Sequence, residues 1–388
     1  MLNLRRILSF WMTLGLIMLP LYLWGSGGVQ PSHFIIFAGA VCLFLSRGLR
    51  LDAGGLILLI LFFFVALRES AFALQGSSLR NTLPAFYIAF SCFIYIAMRQ
   101  WLSDTKNLIF CVVGLAAAAL IAVGGVFFMG YGSTIDFEGG RSIGTFNNPN
   151  QLGYFSVCLF SLAAALYLRG SISRLILLAF IVTAVFLAIA SLSKAAMVAC
   201  AFGVLSIVYR MSKSKAGILL GLLLSAILVL ASFFLFTSGQ LDDYKFTHRL
   251  SSIGSQSDDS LEGRGYGILL DVDAIQLLFG HGSEGVSKIL GHELHSTIGS
   301  FFANYGLIGG ILFIVFLIFW FKKTWNNYGF TGLLTIVVPP MLYGLTHNGS
   351  RFTVFWLLLA LSTVQLPSSV RRKKRTLPGD TVTLSPAK

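Results

Sequence analysis

Charge is what this chain has least of. Charged residues make up 11% of its 388 positions, against roughly 25% in an ordinary soluble domain, and that scarcity excludes a soluble globular fold. Cysteine is equally unhelpful to an extracellular scaffold. Cys42, Cys92, Cys111, Cys158 and Cys200 all fall within or at the ends of apolar stretches, so the polar segments carry neither a disulfide framework nor a thiolate metal site. The chain also lacks HExxH zinc spacing, low-complexity runs and any similarity between two halves.

What is abundant is apolar: 56% of residues are hydrophobic. Windows of about 20 residues predict an all-α, polytopic membrane protein with about twelve transmembrane helices. The first runs from Ile7 to Trp24, the ninth from Ala216 to Phe236, the tenth and eleventh from Thr297 to Phe321 and Phe330 to Thr346, and the last ends at Leu366. The first span lacks a small-residue cleavage site and reads as a retained signal anchor. Residues 1–366 form a single membrane domain on this reading, and 367–388 a basic, disordered cytoplasmic tail lying on anionic lipid. Positive charge fixes the orientation. With the N-terminus inside, nineteen of the twenty-eight Lys and Arg residues fall on the cytoplasmic side, and every inner loop has at least two. The basic balance is therefore a signal of topology and not of nucleic-acid binding.

All six histidines then fall at or beyond the outer face. Four of them, with nine of the fifteen carboxylates, lie in one long polar loop at 237–296, the place to look for chemistry. Several outer segments offer it. Asn148 before Pro149 predicts an N-cap and a first-turn proline, and the same helix start could present backbone N–H groups to a phosphate, with Arg141 nearby. Lys194, in the turn Ser191-Leu-Ser-Lys194, is the lone charge of a long apolar region and reads either as an anion ligand or as a snorkelling flank. Arg264, set among glycines in Gly263-Arg-Gly-Tyr-Gly267, suits either a planar anion or an ion pair with Asp258, Asp259 or Glu262. Gly267 to Phe279 has the spacing of one amphipathic helix. His292 and His295, three apart, are expected on one helix face. A zinc pair is the weaker reading and a general base near neutral pH the stronger. His347 and Arg351, in His347-Asn-Gly-Ser-Arg351, form either a polar hairpin or the edge of an anion site.

In order along the chain, Gly144-Thr-Phe-Asn-Asn-Pro-Asn-Gln-Leu-Gly153, Ser191-Leu-Ser-Lys194, Gly263-Arg264, Gly280-His-Gly282 and Leu294-His-Ser-Thr297 with Tyr305-Gly-Leu-Ile-Gly309 resemble the motifs of the O-antigen ligase and polysaccharide polymerase superfamily. The resemblance runs from about Asp136 to the last span. It implies a GT-C-like architecture with one long periplasmic loop, in the bacterial inner membrane, and an active site facing the periplasm. It further implies an inverting, metal-independent transfer without a cofactor, from undecaprenyl-diphosphate-linked oligosaccharide to an acceptor glycan. His295 would be the base, Arg264 and Lys194 would hold the diphosphate, Arg351, Asn148 and Arg141 would be lesser diphosphate candidates, and His292 and His347 secondary ones. Lys194 stands where the family commonly has arginine, which loses the bidentate fork. A chain-length regulator or export proteins would be further partners. The wording favours a polymerase over a ligase that passes glycan to lipid A core. A transporter of lipid-linked glycan ranks behind both, because polar residues gather on one face and not near the midplane.

Overall fold

The computed structural model describes residues 2–25, 28–74, 83–128, 141–211, 263–270, 272–292 and 294–366. The expected span 216–236, the first part of the polar loop, Asp258, Asp259, Glu262, Asp271 and Glu293, and the tail at 367–388 lie outside the described residues.

The described chain is all-α. Its helices are α1 Leu2–Ile17, α2 Pro31–Arg47, α3 Ala53–Leu74, α4 Leu83–Leu102, α5 Asn107–Phe128, α6 Pro149–Leu168, α7 Arg174–Ala190, α8 Lys194–Met211, α9 Ala274–Phe279, α10 Gly282–Leu290, α11 Thr297–Gly332, α12 Val338–Gly344 and α13 Thr353–Thr363. Five helical stretches are long and apolar enough to cross a membrane, namely α3, α4, α5, α6 and the run Thr297–Gly344. Shorter apolar helices stand at Arg6–Ile17, Pro31–Arg47, Arg174–Ala190 and Thr353–Thr363. This is the build of a multi-pass membrane protein, since a helix is one of the few structures that satisfies its own backbone in lipid.

α6 is the hub. Of its best apolar window, 89% is buried inside the protein, against 22% for α3, whose Leu56, Phe63 and Leu67 face outward. Around α6 pack α7, α8, α12 and α13, so the N-terminus of α6 opens at the centre of one end of the bundle.

Both ends are held by polar contacts. At one, arginines tie the loops together: Arg99 pairs with Asp52 at 2.9 Å, and Arg169 donates to the carbonyls of Val364 and Gln365. At the other, backbone carbonyls accept from amide, hydroxyl and guanidinium groups alike. Asn147 donates to the Trp24 carbonyl, Thr145 to that of Pro20, and the Tyr343 hydroxyl to that of Asn150. The segments that the charge count places outside are the ones that meet here.

Three local departures from the sequence reading have physical reasons. α1 stops at Ile17, short of the predicted Trp24, in the turns before Pro20. The predicted inner loop around Lys322 and Lys323 is helical instead, and the break between the tenth and eleventh spans comes at Gly329, with φ of 67°. Beyond it Leu333–Val337 widens to a π-helix, because Pro339 and Pro340 can give no N–H to the preceding turn. Lastly, Gly267 to Phe279 is not one helix. A 3-10 turn, Tyr266–Leu269, is followed by the separate α9, which Asp273 caps through Gln276 N.

α9 and α11 touch backbone to backbone. Gly280 (φ 74°, ψ 178°) and Gly306 (φ 63°, ψ −161°) occupy conformations open essentially to glycine alone. A Cβ on Gly280 would lie 2.3 Å from the Asn304 carbonyl, and one on Gly306 would lie 2.4 Å from that of Leu278. Gly280→Ala is expected to cost about 1–3 kcal/mol in backbone strain alone. It should lower the melting temperature of the purified protein, and an unchanged melting curve would refute the close approach.

Candidate functional site: a cavity at one end of the bundle

The N-terminus of α6 is built as the sequence predicts. Asn148, extended at φ −154°, accepts a 2.9 Å hydrogen bond from Gln151 N, and Pro149 takes the first helical position. Gln151 returns its Oε1 to the Asn147 N–H. Arg141 is buried against this end, donating from Nε to the Ser191 carbonyl at 3.1 Å and from Nη2 to Asn150 Oδ1 at 2.8 Å. It thus fastens the Ser191-Leu-Ser-Lys194 turn to α6. Lys194 opens α8 and is half-buried, but is not among the residues lining the cavity described next.

Over the α6 start lies a cavity of about 520 Å³. Its described lining includes Asn148, Asn150, Gln151, His292, His295, His347 and Arg351, with Tyr22, His33, Tyr87 and Tyr343. No carboxylate stands among these described residues.

The histidines arrive by different routes. α10 ends at Gly291, and Ser296 caps α11 through Gly299 N at 3.0 Å. His292 and His295 therefore sit in the connection, not on a shared helix face as the spacing suggested. Their rings nevertheless stack, with centroids 5.0 Å apart and planes 10° from parallel. His347 follows α12, stacks on Tyr343 at 4.7 Å and stands 6.2 Å from His295. Thr297 holds the two strips together: its hydroxyl donates to the His347 carbonyl at 3.0 Å and accepts from Gly349 N at 2.8 Å. Among the described residues, no group of three or more His, Cys, Asp or Glu is arranged to hold a metal ion.

Arg264 approaches from behind His347. Its Nη1 donates to the Thr346 carbonyl at 2.8 Å, and Tyr266 donates to the Leu345 carbonyl at 2.6 Å, so the Gly263-to-Gly267 turn closes over the C-terminal end of α12. A guanidinium is favourable at such an end, where carbonyls lack helical partners. Arg351 lies at the cavity rim with its guanidinium 5.7 Å from the Tyr87 ring. Of the residues proposed from sequence, His292, His295, His347, Asn148 and Arg351 line one cavity. Arg264 and Arg141 brace its wall.

Burial, and then the positive field of His295, Arg264 and Arg141, lowers the His347 pKa to about 3. At neutral pH its imidazole is uncharged, able to give and accept one hydrogen bond. The sign for stability follows. A folded pKa below the unfolded value of 6.5 costs nothing above that pH. Stability is lost as pH falls below 6.5, by at most about 1.4 kcal/mol per pH unit. Replacing His347 with Asn is expected to flatten that acid limb in thermal melts between pH 7 and 4, and an unchanged limb would show that His347 does not carry it.

Sequence reasoning passed over His33, Tyr22 and Tyr87, which line the cavity, and Arg68 and Glu69. His33 was visible as a histidine at the start of an outer-facing span end. Glu69 is the sole carboxylate between Asp52 and Asp104, next to Arg68 at the end of an apolar run.

Compared with known proteins, the chain matches no protein-family model and no curated protein.

Proposed function

We propose that this protein is a membrane glycosyltransferase of the polysaccharide polymerase kind. It would move a glycan from undecaprenyl diphosphate to a hydroxyl of an acceptor glycan at the periplasmic face of the bacterial inner membrane. The observation that carries this reading is the cavity itself: imidazoles and a guanidinium surround about 520 Å³ without a carboxylate among its described lining. Such a lining suits a dianionic leaving group beside an uncharged nucleophile. Twelve crossings and a GT-C-like arrangement belong to the same proposal.

The chemistry balances with side chains alone. His295 takes the proton of the acceptor hydroxyl as its oxygen attacks the anomeric carbon. The bond from that carbon to the diphosphate oxygen breaks, and the lipid diphosphate leaves with the electron pair, inverting the anomeric centre. Charge growing on the leaving oxygens is met by Arg351 and by the N-terminus of α6, with Arg264 adding its positive field from behind the wall. Lys194, away from the cavity lining, has a weaker claim to the diphosphate than Arg351.

Lipid-linked glycan from a deletion strain tests the assignment. Single repeat units left on the lipid support a polymerase. Long lipid-linked chains would favour a ligase acting on lipid A core, and an unaltered profile would contradict both.

A further inference from the structure

The outer end of α3 carries two adjacent charges that the chemistry above does not use. Arg68 donates from Nε to the Phe279 carbonyl at 3.0 Å and from Nη2 to that of Gly280 at 2.9 Å, with its guanidinium 3.4 Å over the Phe72 ring. Glu69 is 1% exposed. It accepts from the backbone N–H of Ser283 at 3.3 Å, and the hydroxyls of Ser283 and Tyr305 also bond to it. One residue thus holds the C-terminal carbonyls at the end of α9, and its neighbour holds the N-terminal amide at the start of α10. Each charge has the sign that its helix end favours.

These anchors add to the backbone approach of α9 to α11, because the segment buries few side chains of its own. α9 has six residues and none of them is buried; a helix that short is not stable by itself. α10 contributes Val286 to a small outer core with Ile268, Leu294 and Ala303. Between the two helices, His281 N donates to the Ala303 carbonyl at 2.9 Å. One helix length beyond that pinned corner come His292 and His295. Glu69 also reaches the other wall, since Tyr305, bonded to it, lines one crevice with Ser283 and Arg351.

We infer that Arg68 and Glu69 are positioning residues that clamp the α9–α10 corner and thereby set where His292 and His295 stand against His347 and Arg351. The inference rests on the assignment of His295 as the base. A buried carboxylate such as Glu69 is costly unless it is hydrogen-bonded, and a clamp at the root of a catalytic loop is a use for it.

The test uses the full-length protein in proteoliposomes, with Glu69→Ala, Glu69→Gln, Arg68→Lys and wild type. In Glu69→Ala, amide exchange over residues 282–296 should rise roughly tenfold or more while α6 is unchanged. The kcat for glycan transfer should fall roughly tenfold or more, with KM for the lipid-linked donor within about twofold. Glu69→Gln keeps an acceptor for Ser283 N–H and should recover most of both. Should Glu69→Ala fail to insert, Arg68→Lys, which keeps the charge but loses the fork, should shift both readouts in the same direction by about threefold. Unchanged exchange over 282–296 in the inserted variants, or a fall in kcat that only mirrors lost protein, would overturn the clamp. Loosened exchange in a protein whose wild type transfers no glycan would leave the clamp standing and remove the transferase reading alone.

Discussion

His295→Ala is expected to lower kcat for glycan transfer by roughly 100- to 10,000-fold, the range a positioned general base supplies, with little change in donor KM. The residue lines the cavity and is stacked on His292 at 5.0 Å. His292→Ala should cost far less, because His292 is exposed at the end of α10 and serves to hold its neighbour's ring. The measurement is initial-rate kinetics with purified lipid-linked donor, beside a melting curve to confirm folding. Equal losses in the two variants would mean that the base is misassigned.

The second large effect is expected at the arginines. Removing a group that stabilises transition-state charge typically costs about 3–4 kcal/mol, a loss of roughly 100- to 1,000-fold. Arg351→Ala should approach that figure, since its guanidinium is at the cavity rim, 5.7 Å from the Tyr87 ring. Arg264→Ala should fall as far but for two reasons together, lost charge and a lost bond to the Thr346 carbonyl. The two causes separate in Arg264→Lys. A lysine can keep either the carbonyl or the positive charge near the cavity, but it lacks the planar fork that does both. It should fold like wild type and recover only part of the rate, and full recovery would show that Arg264 acts by charge alone.

The helical class was legible because it depends on composition. The α6 start was legible too. Asn148 and Pro149 act within one turn, and the cap forms from neighbours three residues apart. What escaped was non-local. The stacking of His292 on His295 arises from a helix that ends at Gly291 and another that begins at Ser296, whereas their spacing by itself suggested a helix face. Lys194, alone in an apolar stretch, reads as an anion ligand or a snorkelling flank, and nothing near it in sequence shows that its turn packs against α6, where Arg141, fifty residues earlier than Ser191, takes up the Ser191 carbonyl. The clamp was hidden for a similar reason. Nothing near Arg68 and Glu69 in sequence shows that their partners are Phe279, Gly280 and Ser283, more than two hundred positions away.

The most direct test of the central claim is reconstitution. Purified full-length protein in liposomes, supplied with lipid-linked repeat units, should yield a ladder of longer glycans and release one lipid diphosphate for each bond made, and His295→Ala should yield neither. Donor that crosses the bilayer with its glycan length unchanged, and no lipid diphosphate released, would contradict the account.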